Sequence, residues 1–211
     1  MSAERRYLPA ASRDIFLPAY DPIMKLLGFE RALMALLDQA GLRPGHAVLD
    51  VGCGTGTLAI LIKQRHPDVD VTGVDPDPRA LARAARKASR AGASVRFDRG
   101  FGDALAYDGA TFDRVFSSMM FHHVPKREKA NVIAEIRRVL KPGGRLEFLD
   151  LAGGAHRSAL AHVLHGRELS AAAHERLTAL MEAAGFVDVT RTGGRGTIAG
   201  AIAYYQASAP L

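Results

Sequence analysis

The stretch VLDVGCGTGTLAIL, Val48 to Leu61, sets three glycines (Gly52, Gly54 and Gly56) between two apolar runs. A backbone without Cβ turns sharply and lets a ligand lie almost against the chain. One glycine would serve a simple strand-to-helix turn; three in five positions ask for more. The run before them reads as a strand and the run after as a helix. That order commits the chain to an α/β architecture.

The same alternation continues. Strands are expected over Ala47 to Gly52, Asp70 to Asp75, the run SVRFDRG, RVFSSM, GRLEFLDL, FVDVTRTG and IAGAIAYYQAS. Helices are expected over Thr57 to Arg65, Pro78 to Ala91, KREKANVIAEIRRVL and AAAHERLTALMEAAGF. Asp77-Pro78 has the signature of an N-cap followed by proline at the first helical position. LKPGG should end the long helix after Leu140. Together these predict a Rossmann-like, seven-stranded, mostly parallel sheet with helices on both faces. The glycine-rich GGRGT between the last two strands is short enough to make the last strand antiparallel. The first 40 residues, including RALMALLDQAGL, read as helices leading into the sheet, and residues 41–211 as one domain.

The 48% hydrophobic and 24% charged content suit a globular chain rather than a disordered one. The +6 net charge admits a polyanion partner, but the basic residues are scattered along helical faces such as RALARAARKASRAG, as on a solvated surface. The single cysteine, Cys53, forms no internal disulfide and no cysteine-based zinc site. The start MSAERRYLPAASRD lacks a secretory apolar core, and no apolar run approaches the ~18 residues of a membrane span. A cytoplasmic location without a transmembrane segment is expected.

The loop spacing is G-x-G-x-G. A dinucleotide fingerprint, G-x-G-x-x-G, would need its third glycine at Thr57. Asp75 ends the second strand, where an ionised carboxylate offers acceptor oxygens to both hydroxyls of a ribose. VLDVGCGTG, GVDPD, GDALAYDGATFDRVF and LKPGGRLEFLD, in this order, resemble the class I S-adenosylmethionine-dependent methyltransferases, small-molecule enzymes among them. The resemblance spans roughly Gly41 to Asp150.

That resemblance implies S-adenosylmethionine as cofactor, a small-molecule methyl acceptor and a helical lid formed by residues 1–40. It implies that Gly52, Cys53, Gly54 and Gly56 pass beneath the methionine and ribose. Asp50 would help hold the cofactor's amino group, and Asp75 with Pro76 the ribose. Asp103 and Ala104 would bracket the adenine, and Ser117 and Ser118 line the path to the methyl group. The residues agree with a cofactor that is cationic and lacks phosphate: the loop has carboxylates beside it and no P-loop lysine. As a catalytic thiolate Cys53 is disfavoured, since it lies in the cofactor loop without an evident base.

Methyl transfer needs alignment of the acceptor, and a base only where the acceptor keeps its proton. His122 and His123, in MMFHHVPK just past the fourth strand, are candidates for that base. Tyr20, with Tyr7, is a candidate for acceptor contact from the lid. His156, His162, His165, Arg157 and Arg167 fall in one histidine-rich stretch, read as solvent- or substrate-facing, and no metal is expected. Nucleic acid is disfavoured as acceptor because SSMMFHH stands where a base methylase would carry an N-P-P-[YF]-like segment. An RNA or protein methyltransferase, or a cofactor-binding protein without transferase activity, stays open as the alternative.

Overall fold

The structure, a computed structural model, describes residues 29–152, 172–197 and 200–211 of the 211-residue chain. In chain order the elements are α1 (Phe29–Gln39), β1 (Ala47–Val51), α2 (Thr57–Arg65), β2 (Asp70–Asp75), α3 (Pro78–Arg90), β3 (Arg96–Arg99) and β4 (Phe112–Ser118). There follow α4 (Lys129–Val139), β5 (Leu140–Leu151), α5 (172–183), β6 (Val187–Thr197) and β7 (Gly200–Ser208). The strands form one sheet in the order β3-β2-β1-β4-β5-β7-β6. β1 to β5 pair in parallel, and β7 runs antiparallel between β5 and β6. The chain builds outward from β1 to β3, then returns to place β4 on β1's other side. That reversal leaves a crevice at the carboxyl ends of β1 and β4, where ligands bind in open α/β sheets.

Residues that alternate along the strands feed two cores. On one face Val132, Ile133 and Ile136 of α4 and Met181 of α5 pack with Val115, Leu146 and Phe148. On the other, Leu33, Leu36 and Leu37 of α1 and Leu58 and Ile62 of α2 pack with Val48, Phe116 and Leu149. Asp77 caps α3 as its sequence predicts, its carboxylate accepting the Arg79 N–H at 2.9 Å.

Of the segment expected to form a lid, α1 is part of the core, and residues 1–28 lie outside the described residues. The C-terminal end of α1 is tied to the sheet by charge. Arg145 and Arg114 donate to the Ala40 carbonyl at 2.7 and 2.8 Å. The fully buried Glu147 accepts from Gln39 at 2.8 Å and from Gln206 at 3.0 Å.

Two boundaries differ from the sequence reading. Residues 126–128 form a 3-10 turn, α4 ends at Val139, and β5 begins at Leu140. Leu140 already pairs with Phe112; the register then shifts to Arg114 opposite Arg145, so KPGG is an irregularity within a paired strand. GGRGT likewise belongs to β6, whose pairing runs on to Thr197 opposite Gly200. In both places cross-strand hydrogen bonding outweighs the local turn preference of glycine and proline. Among the described residues no helix is long and apolar enough to cross a membrane.

Candidate cofactor site and the adjoining histidine turn

The three loop glycines have different surroundings. A Cβ on Gly52 would fall 2.1 Å from the Met120 Cγ. At Gly56, which has φ +75° and caps α2, a Cβ would fall 2.8 Å from the Ala84 Cβ and 2.9 Å from the Phe97 ring. At Gly54, with φ +52°, a Cβ would meet nothing within 4 Å among the described residues. Two glycines are therefore required by the protein's own packing. The third lines open space at the mouth of the crevice.

Gly54 also joins the loop to the second carboxylate. Its N–H donates to Asp75 Oδ2 at 2.9 Å, and the Asp77 N–H donates to Oδ1 at 2.9 Å. Each carboxylate oxygen keeps further acceptor capacity. Burial raises the Asp75 carboxyl above the usual range, against the pull of these two N–H donors.

Asp50 stands behind the loop. Alternation along β1 puts it on the face of Val48, beneath the start of α2. It is 0% exposed, and neither oxygen has a hydrogen-bond partner among the described residues. Burial, then the charge of Asp75, pushes its carboxyl up to about 7; the Ala59 N–H of α2 pulls weakly the other way without reaching hydrogen-bond geometry. A buried carboxylate without a partner is costly unless a positive group arrives. Cys53 is buried with its Sγ against Gly73, and burial pushes its thiol up, which leaves it a packing residue rather than a thiolate.

The remaining expected cofactor residues lie along the same edge. Pro76 follows β2, its carbonyl accepting from Arg99 at 3.3 Å. Asp103, half-buried, and Ala104, exposed, form the turn after β3, closed by the Ala104 N–H on the Phe101 carbonyl at 3.1 Å. Ser118 is half-buried at the end of β4. Ser117 is 1% exposed, its hydroxyl unpartnered among the described residues, and it faces inward with Val51 and Phe148.

Past β4 the chain turns tightly. Met119 adopts φ +54°, a conformation uncommon for a side chain of its size. Met120 covers Gly52, and Phe121–His123 form a 3-10 turn. His122 is held by Asp150, near the end of β5. Its Nδ1 lies 2.5 Å from Oδ1, and its backbone N–H donates to Oδ2 at 2.8 Å. The His123 ring leans on the His122 ring, centroids 4.0 Å apart. Asp150 is the site residue that sequence reasoning missed; a carboxylate ending the apolar strand LEFLD was the available signal. Tyr7, Tyr20, His156, Arg157, His162, His165 and Arg167 lie outside the described residues.

The architecture and the glycine-loop crevice define a class, the class I methyltransferase fold. Residues 48–144 match the family described as Methyltransferase domain. The demethylmenaquinone methyltransferase of Thermus thermophilus is 39% identical over 140 residues, covering 63% of this chain and 61% of its own. That of Deinococcus radiodurans is 36% identical over 160 residues, covering 70% and 64%. The chain thus spans somewhat under two thirds of these relatives' length. Among solved structures, the YcgJ protein of Bacillus subtilis superposes with a TM-score of 0.68 at 17% identity, covering 86% of this chain and 99% of that one, a likeness of fold. Residues 48–144 thus match a methyltransferase domain, and the fold is that of known methyltransferase structures.

Proposed function

We propose that the protein transfers the methyl group of S-adenosylmethionine to a small organic acceptor, with a reduced naphthoquinone the first acceptor to try. The observation that carries the cofactor is the fit of the crevice to a cationic nucleoside. Among the described residues, a carboxylate without a hydrogen-bond partner is buried beneath the loop at Asp50, a second sits at the end of β2, and between them Gly54 presents bare backbone to open space. A pyrophosphate would find two carboxylates here and no basic residue in the loop. The acceptor class rests on the two demethylmenaquinone methyltransferases among the relatives.

Bound here, the cofactor supplies a methyl carbon activated by a positive sulfur, whose bonding pair leaves with the sulfur. The chain's own residues do the rest. Asp75 accepts from the ribose diol while keeping its two backbone donors. Asp50, once ionised, offsets the positive charge of the amino-acid end. Asp103 would accept from the adenine amine, with Ala104 beside the base and Pro76 beside the ribose. Ser118 and Met120 border the path toward the acceptor, from which the wall of β4 and its turn exclude water.

The test is incubation with methyl-labelled S-adenosylmethionine in three parallel arms: reduced naphthoquinones, a small-molecule extract, and RNA. Label in an organic-soluble or small-molecule product, with S-adenosylhomocysteine released in equal amount, is expected. Label in RNA alone would overturn the acceptor class. No S-adenosylhomocysteine in any arm would overturn the transferase reading.

A further inference from the structure

We propose that Lys129 selects the acceptor: the small organic acceptor carries a carboxylate, and the Lys129 ammonium pairs with it at the carboxyl edge of the sheet. This rests on the transferase reading above and narrows its acceptor to an anionic one.

Lys129 opens α4. Its Nζ lies 4.5 Å from the centroid of the Phe121 ring, which in turn packs edge-on against Phe148, centroids 5.4 Å apart. Phe121 stands between Met120, which covers Gly52, and His122, which Asp150 holds. The contact with Phe121 therefore places the ammonium beside the turn after β4, where the crevice opens. β6 runs parallel to β5, both being antiparallel to β7, so α5, which feeds β6, begins at the same edge and brings Arg176 there. Lys129 is half-buried, and among the described residues it has no hydrogen-bond or ion-pair partner.

The fold supplies little here to hold a cation. A positive side chain in the first turn of a helix meets the positive end of the helix dipole. No acidic residue stands in that turn; Glu128 before it makes no capping bond, and its carboxylate lies 3.3 Å from Arg127. Asp150 faces Lys129 from β5, but its oxygens already accept from the His122 ring, from the His122 N–H at 2.8 Å and from the Leu151 N–H at 2.7 Å. Burial lowers the Lys129 pKa; the Asp150 charge raises it, and the like charges of Lys126 and Arg176 lower it further. A half-buried ammonium without a paired anion costs stability. A local conflict of this kind marks a position kept for function.

The other groups at this corner add no anion. His123 leans on His122 in the turn itself. From β7, Tyr205 faces Asp150, and burial holds its phenol protonated at neutral pH. His174 of α5 stacks on Tyr205 with centroids 5.4 Å apart. A carboxylate supplies what is missing. Its two oxygens accept from the three donors of an ammonium, and the guanidinium of Arg176 adds a second positive charge of the geometry carboxylates match. A neutral acceptor would leave the ammonium unpaired, and a cationic one would add a further like charge. The carboxylate takes no part in the transfer; it anchors the acceptor beside the crevice.

The probes are 1-hydroxy-2-naphthoate and 1-naphthol, which share a ring system and a hydroxyl and differ by the carboxylate. Calorimetric titration of each into the protein saturated with S-adenosylhomocysteine reads the ratio of their affinities. The wild-type chain is expected to prefer the naphthoate by at least about tenfold, as a charge-assisted hydrogen bond at a half-buried site requires. Lys129→Met keeps the apolar stem over Phe121 and removes the charge; it is expected to keep less than about a third of that ratio, and Lys129→Arg to keep more than Lys129→Met does. Without ligand, Lys129→Met is expected to melt no lower than the wild type. A smaller preference in the wild type, or a Lys129→Met chain that retains it, overturns the proposal. So does a Lys129→Met melt more than about 3 °C below wild type, which would make the ammonium a structural group. A wild-type chain that binds S-adenosylhomocysteine but neither naphthalene also overturns it. A chain that binds no S-adenosylhomocysteine defeats the transferase reading instead, and the same ratio measured on the unliganded protein then decides whether Lys129 selects a carboxylate.

Discussion

Substituting Gly54 and Gly56 by alanine separates a ligand-facing glycine from a packing glycine. Both have positive φ, at +52° and +75°. An alanine in that region costs about 1–2 kcal/mol, partly offset by about 0.4–1 kcal/mol from a less flexible unfolded chain. At Gly54 the new methyl meets nothing, so the fold loses about 1 kcal/mol, roughly 2–4 °C in melting temperature for a chain of this size. At Gly56 the methyl lands 2.8 Å from Ala84 and 2.9 Å from the Phe97 ring. Overpacking there adds about 1–3 kcal/mol, and a fall of roughly 5–15 °C is expected. Cofactor binding should rank the other way. Gly54→Ala puts its methyl where the nucleoside would lie and should weaken S-adenosylmethionine by more than about tenfold, or 1.4 kcal/mol, at a temperature where it is fully folded. Circular dichroism melts and calorimetric titrations of the same preparations read both. If Gly54→Ala binds like wild type, or melts as low as Gly56→Ala, the assignment of Gly54 to the ligand is wrong.

Asp75→Asn should weaken cofactor binding by at least about tenfold, and, because its amide NH2 turns toward one of the two backbone donors that the carboxylate accepts, should also cost about 1–3 kcal/mol of stability; unchanged affinity would remove Asp75 from the ribose. Binding should strengthen as pH rises through about 7, because the raised Asp50 carboxyl must ionise to meet a cation. Proton release on titration in buffers of different ionisation enthalpy checks this, and Asp50→Asn should abolish it. Stability without ligand should run the opposite way. The folded Asp50 keeps its proton up to about 7 while an unfolded aspartate loses it near 4, so each pH unit of rise between them costs up to about 1.4 kcal/mol. The raised carboxyls of Asp75 and Glu147 act in the same direction, and the lowered imidazole of His46 opposes them; Asp50→Asn should therefore lessen the fall with pH, and an unchanged slope in that variant would contradict the reading of Asp50. Glu147→Ala, far from the crevice, strips the partner from Gln39 and Gln206 and should cost about 3 kcal/mol, or roughly 6–12 °C, with cofactor affinity within twofold of wild type.

Much of the fold was legible because local signals and tertiary context agree there. The helix Thr57–Arg65 and the strand Asp70–Asp75 have the predicted bounds, and Asp77 caps α3 as its Asp-Pro pair announces. The misreadings share one cause. KPGG and GGRGT are turn-rich locally, yet both lie in strands because a neighbouring strand supplies their hydrogen bonds. Sequence spacing also put three glycines at the site without telling them apart. Only the neighbours Met120, Ala84 and Phe97, distant along the chain, separate packing from ligand space. Asp150 was hidden for the same reason: its meaning comes from His122, 28 residues away in sequence.

The most direct test is a calorimetric titration of the folded protein with S-adenosylmethionine at pH 8, above the value of about 7 to which burial raises the Asp50 carboxyl. Saturable binding at one site per chain is predicted, weakened by more than about tenfold in Gly54→Ala. A folded wild-type chain that shows no saturable heat up to about 1 mM ligand, a binding free energy weaker than about −4 kcal/mol, would contradict it.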